Sequence, residues 1–192
     1  MGEKVLELLI RDINFKDLKQ LKKFKCRDGL MENFLVREAY YYHIIGEGIT
    51  KLVINTETNE IIAYYTLKCD SVRIDDEEMR ENPIYIPCIE ISRIAVAANW
   101  QNGSNGVHIG THLMGHIITN IKKIIASQVG CRFISLHAIK DKASWYQRDF
   151  DFETIEDEKA IETGDTVYMC LDITDKAKVN EYVSFVAKHN QK

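Results

Sequence analysis

The chain has 192 residues, with 45% hydrophobic and 28% charged residues, which is ordinary globular usage and excludes a disordered or fibrous protein. Twenty-five Lys and Arg stand against 29 Asp and Glu, a formal charge of −4, which argues against a broad phosphate-binding surface. The longest apolar run, Ile61–Leu67, is far below the roughly 20 residues of a membrane span, so no membrane role is expected.

Five cysteines lie singly, without a CxxC pair, so neither a disulfide framework nor a zinc cage is indicated. MGEKVLELLI lacks the basic and long apolar regions of a signal peptide, and position 6 is Leu where a myristoylation signal has Ser or Thr. The expected location is cytoplasmic.

Lys4–Ile13 reads as an opening strand. Phe15, Leu18, Leu21 and Phe24 then recur at helical spacing, and after the Lys25–Gly29 break a second helix carries Leu30, Phe34, Leu35, Tyr41 and Ile45 on one side. Gly46 and Gly48 end it. Thr50–Asn55 and Ile61–Ile74 form a predicted hairpin about Glu57-Thr-Asn-Glu60. Asp75–Asn82 is an acidic loop closed by Pro83 and Pro87, followed by a strand over Cys88–Ala97 and a polar loop over Asn99–Gly106. Ile109, Leu113, Ile117, Ile118, Ile121 and Ile125 mark a long amphipathic helix. Then follow a strand (Arg132–Ala138), a short helix (Lys142–Arg148), a strand pair (Phe152–Ile155, Thr166–Ile173) and a closing helix (Val179–Val186). Three consecutive strands imply antiparallel pairing, and the strand-loop-helix-strand unit after them implies one parallel step. The expected fold is α/β (α+β), a mixed, mostly antiparallel sheet flanked by helices in one domain, with residues 174–192 as a helical extension.

Chemistry concentrates where Glu90-Ile-Ser-Arg-Ile-Ala-Val96 runs through a Gly/Asn-rich loop into a helix. Such a loop presents unpaired N–H groups at a positive helix end, which suits a pyrophosphate. GxxxxGK[ST] and GxGxxG are both absent, so nucleotide triphosphatase and dinucleotide-binding readings are disfavoured.

Asn105-Gly-Val-His-Ile-Gly110 resembles the [QR]xxGx[GA] pyrophosphate loop of the GNAT N-acetyltransferases, with Asn105 in place of Gln or Arg and His108 in place of a glycine. Gly110-Thr-His-Leu-Met114 and the later Ala143–Phe152 stretch are also similar to GNAT motifs, and the strand order matches over residues 4–173. The resemblance implies acetyl-CoA as donor and direct transfer of its acetyl group to an amine. It implies donor contacts from Ile94, Ala95 and Val96 on the strand, and from Asn105, Gly106, Val107, His108, Ile109, Gly110 and Thr111 in the loop. Glu90 occupies the general-base position of the histone acetyltransferase branch, or else is a strand glutamate paired with Arg93 or a lysine. Tyr146 matches the tyrosine that protonates the departing sulfur, or else is a buried aromatic.

His108, His112 and His116 recur every four residues, but no acidic ligand accompanies them, so a solvated face is favoured over a metal site. His43 and His137 read as packing or surface residues. Asp75–Glu78 and the ten acidic residues of Asp149–Asp175 would attract a cationic acceptor, or simply form a solvated surface. The leading expectation is an N-acetyltransferase acting on a small-molecule or protein amine.

Phe24–Leu35 and Ala63-Tyr-Tyr-Thr-Leu67 also resemble the GNAT toxins that acetylate aminoacyl-tRNA, whose "CG…LDxFL" helix and "GYYTL" strand they approximate. That second reading leaves tRNA as a partner against the negative net charge. A catalytically silent CoA-binding module is the third, and the resemblance also allows a homodimer.

Overall fold

The computed structural model describes residues 6–74, 83–103, 106–155 and 165–189. The Asp75–Asn82 loop, Asn105 and residues 156–164 of the second acidic stretch lie outside them. Strand β1 (Leu8–Asp12) leads through a 3-10 turn (Phe15–Asp17) into α1 (Leu18–Leu21). Helices α2 (Gly29–Arg37) and α3 (Ala39–Ile45) follow, then strands β2 (Ile49–Asn55), β3 (Glu60–Ile74) and β4 (Ile84–Val96). A second 3-10 segment (Ala98–Gly103) precedes α4 (Ile109–Asn120), which runs through a π turn (Ile121–Ile125) into the short α5 (Ala126–Gln128). The chain closes with β5 (Phe133–Ile139), α6 (Lys140–Phe150), β6 (Glu153–Thr154), β7 (Thr166–Asp172) and α7 (Lys176–His189).

The strands form one seven-stranded sheet in the order β1-β2-β3-β4-β5-β7-β6, antiparallel throughout except for β4–β5. Helices α4 and α6 cover one face, burying Leu113, Met114, Ile117 and Tyr146 over Ile62, Ile89, Ile91 and Ile134. The first three helices cover the other, with Leu21, Phe24, Phe34, Leu35 and Ala39 packed on Leu52, Ile54 and Tyr64. Both faces being covered explains why β3 reads as a nearly continuous apolar run rather than an alternation.

Several local expectations are corrected. Pro87 lies inside β4, opposite Ser71, rather than in the preceding loop. Its carbonyl accepts from Arg132 N at the β5 side, so its missing N–H faces the stretch where β5 has not yet begun, and no rung is lost. The single helix expected over residues 30–45 breaks at Glu38. The break turns Ala39 into the core and sets the Tyr42 ring edge-on to Phe34, while Leu30 and Tyr41, placed on the apolar side by spacing, are exposed. Gly46 then closes α3 at φ +78°, the left-handed conformation that favours glycine. Phe15 is likewise exposed, because its turn winds as a 3-10 helix.

The entry to α1 is fixed by a buried carboxylate. Asp17 accepts from Arg11 Nη1 and Nη2 at 2.7 and 2.6 Å and from Asn14 N at 2.8 Å, closing a capping box. Burial alone would raise its pKa, but the hydrogen bonds from Arg11 and Asn14 prevail and hold it below the ordinary value. Asp17→Ala takes the acceptor from the Arg11 guanidinium and from Asn14 N and is expected to lower the unfolding free energy by about 1–3 kcal/mol. A depressed folded pKa stabilises above the unfolded value of 3.8, and that contribution is lost as pH falls through the folded pKa. Denaturation of both proteins across pH should show their stability difference shrinking below about pH 4.

Candidate active site

Strands β4 and β5 pair over only three rungs, Cys88–Phe133, Ile89–Ile134 and Glu90–Ser135. Beyond Glu90 both strands continue, to Val96 and Ile139, without pairing. The sheet therefore opens into a wedge with Glu90 and Ser135 at its apex.

On its other edge β4 stays paired with β3, interrupted by a bulge at Ser92, whose hydroxyl donates to Thr66 O at 3.3 Å. Ala97 N donates to Ile62 O at 2.8 Å, which sets the alternation of the ladder. The main-chain groups of Ala95 thus point at β3, and those of Ile94 and Val96 point into the wedge. Gln101 Nε2 donates to Val96 O at 2.7 Å, tying the following loop to the wedge wall. Of the three strand residues expected to contact the donor, Ile94 and Val96 turn their N–H groups into the wedge and Ala95 turns its own to β3.

The first turn of α4 lies beside the same wall, since a Cβ added to Gly110 would come 3.9 Å from Val96 Cγ2. Among the described residues no side chain caps α4; Ile109 N and Thr111 N donate to Val107 O and His108 O at 3.1 Å, and Gly110 N stands between them at the positive end of the helix. His108 occupies the cap position, and its imidazole packs on Gly103, where an added Cβ would come within 3.0 Å of the ring. Gly103 also has φ +68°, so both backbone and space call for glycine there. Gly106, Val107, Ile109 and Thr111 complete the described part of the predicted loop.

Glu90 and Tyr146 lie on opposite faces of the sheet. The bulge at Ser92 places Glu90, Arg93 and Ala95 together on the face covered by α1–α3. Glu90 is 5% exposed, and Lys68 Nζ lies 2.9 Å from Oε2, directly across the ladder. Lys68, and not Arg93, is thus its cationic partner. Arg93 lies 5.0 Å above the Phe34 ring and donates to Ser92 O. Burial raises the Glu90 pKa, Lys68 pulls it down and Asp70 pushes it up again, and the net result is a raised value. Lys68 and Asp70 escaped the sequence reading because only the β3–β4 register brings them to Glu90.

Tyr146, on the α4–α6 face, packs edge-on against Trp145 and Phe152. Burial pushes its hydroxyl up to about 12, so it is a neutral O–H at physiological pH. Among the described residues that hydroxyl makes no hydrogen bond. The arrangement provides main-chain donors in the gap between two strands, a carboxylate on one side and a phenol on the other. His112 and His116 are exposed on α4, and among the described residues no three His, Cys, Asp or Glu side chains are grouped to hold a metal. Nor is any helix among them long and apolar enough to cross a membrane.

No protein-family model matches the chain. A tRNA-acetylating toxin of Mycobacterium tuberculosis is 26% identical over 140 residues, covering 71% of this chain and 80% of that protein. The crystal structure of AtaTR bound with acetyl-CoA superposes with a TM-score of 0.68 at 16% identity, over 86% of this chain and 94% of that one. AtaT complexed with acetyl-methionyl-tRNAfMet gives 0.65 at 17% identity, over 92% and 99%. The fold is that of the GNAT toxins.

A raised folded pKa at Glu90 stabilises below the unfolded value of 4.5 and loses that contribution as pH rises through the folded pKa. Glu90→Gln removes this titration. Thermal unfolding of both proteins between about pH 4 and 7 should therefore show the variant gaining on the parent as pH rises.

Proposed function

We propose that this chain is an acetyl-CoA-dependent N-acetyltransferase whose acceptor is the α-amine of an aminoacyl-tRNA. The observation that carries the transferase reading is the β4–β5 wedge, with main-chain donors in its wall and Glu90 and Tyr146 on the two faces of the sheet. The likeness to toxins that acetylate tRNA or bind acetylated tRNA supports the choice of acceptor over the small-molecule or protein amine expected first.

When bound, acetyl-CoA supplies the acetyl group as a thioester. The N–H groups of Ile94 and Val96 hold the carbonyl oxygen as it gains negative charge, and being fixed by the strand they need no reorganisation. The uncapped first turn of α4 takes the pyrophosphate. Glu90 accepts the proton that the attacking nitrogen sheds, directly or through one water. Tyr146 gives its phenolic proton to the sulfur as the C–S bond breaks.

The chemistry of Glu90 also discriminates between acceptors. Even raised by burial, the Glu90 carboxylate remains a weaker base than an amine. An alkylammonium near pKa 10.4 would demand more of it than an α-ammonium near 7.7–8.0, of which roughly a tenth or more is already free amine at neutral pH. The site therefore suits the α-amine of an amino acid better than a lysine or polyamine.

Saturating acetyl-CoA, at about 100 times its dissociation constant, should stabilise the fold by roughly 2.7 kcal/mol and raise Tm by about 5–11 °C. No shift would remove the donor site and with it the enzyme. Tyr146→Phe should keep that shift while acetylation of aminoacyl-tRNA, followed by thiol release, falls by about 10²-fold or more. Unchanged turnover would take the acid role from Tyr146. Retained binding with no turnover on any amine in the parent would leave a silent module.

A further inference from the structure

The negative net charge conceals a strongly basic groove. A cavity of about 710 Å³ opens between the turn preceding α1, the residues that follow α1, and the β2–β3 hairpin turn, and Lys16, Lys19, Lys23 and Lys25 line it. Lys16, Lys19 and Lys23 are exposed, and among the described residues they make no ion pair, while Lys25 contacts Glu32. The acidic side chain in the wall, Glu60, is occupied, accepting from Asn99 Nδ2 at 2.9 Å and from Trp100 Nε1 at 3.3 Å. Ordinary surface lysines alternate with carboxylates; here four converge on a concave space whose wall holds one, Glu60.

The position of the groove matters as much as its charge. Its wall includes Ala97–Asn99, starting one residue beyond Val96, whose N–H faces the wedge. Ala98 N donates to Lys25 O at 2.8 Å, so the lysine segment is fastened to the end of β4. The groove also lies on the α1–α3 face, the face that carries Glu90.

We propose that this lysine groove binds the phosphodiester backbone of the acceptor RNA and so delivers its aminoacylated end to Glu90. The inference rests on the aminoacyl-tRNA reading for the identity of the ligand. Three lysines free of ion pairs among the described residues, with Lys25 beside them, exceed what a single phosphate can use, and they match a run of them. Backbone contacts of this kind supply affinity and register without reading sequence.

The test is a fluorescence-anisotropy titration of labelled aminoacyl-tRNA across salt concentrations, with two variants of equal charge change. One is K16E/K23E in the groove; the other is K122E/K123E, at exposed positions on the α4 side. K16Q/K23Q provides a milder change, and all must give the parent's Tm rise with acetyl-CoA, which shows that the fold is intact. For K16E/K23E the dissociation constant is expected to rise at least tenfold, and the slope of log K against log salt to flatten by about one to two. K122E/K123E should stay within about threefold of the parent. Equal effects of the two variants, or none, overturn the groove. RNA that binds the parent through these lysines but is never acetylated sinks the acetyl-transfer reading and keeps the groove; RNA acetylated with an unchanged KM by K16E/K23E does the reverse.

Discussion

The site depends on a single constraint, the parallel pairing of β4 with β5 that stops after three rungs. An α-helical crossover makes these two strands parallel, and nothing obliges parallel neighbours to stay in register along their whole length. Where they part, β4 keeps the support of β3 on one edge and exposes main-chain donors on the other. Ile94 and Val96 become a rigid polar lining in a largely apolar wall, a combination that a side chain could supply only at greater conformational cost. The bulge at Ser92 matters equally, because in a regular ladder Glu90 and Arg93, three residues apart, would lie on opposite faces.

Electrostatics follows from this geometry. Glu90 sits at the apex, out of water, and is tolerated because Lys68 faces it on the next strand. Burial on the other face keeps Tyr146 protonated. The carboxylate and the phenol proposed as base and acid thus lie on opposite faces of the sheet, each shifted upward by burial. The lysines of the α1 segment add a second electrostatic element on the base's side, and Asp17 with Arg11 fixes the turn from which they project.

Much of this was legible in the sequence and some of it was not. Strand order, the antiparallel hairpin and the parallel step followed from apolar patterning and turn chemistry, because those depend on neighbours in the chain. The run from Glu90 to Val96 and the loop after it were recognisable by motif. Pairings across strands were not, so Lys68 and Asp70 beside Glu90 had no signal, and neither did the opposite orientation of Ala95. Net charge sums the whole surface, so it carried no sign of where Lys16, Lys19, Lys23 and Lys25 converge. The break at Glu38 was invisible for a related reason. Helical spacing runs unbroken through it, and only packing of Ala39 and Tyr42 selects two helices.

The central claim is that the wedge between β4 and β5 receives the acetyl donor. Amide hydrogen exchange followed by NMR, with and without saturating acetyl-CoA, tests it residue by residue. The account predicts protection gained at the N–H groups of Ile94 and Val96, with little change at Ala95, whose N–H already faces β3. Saturation that leaves Ile94 and Val96 exchanging as in the free protein would contradict it.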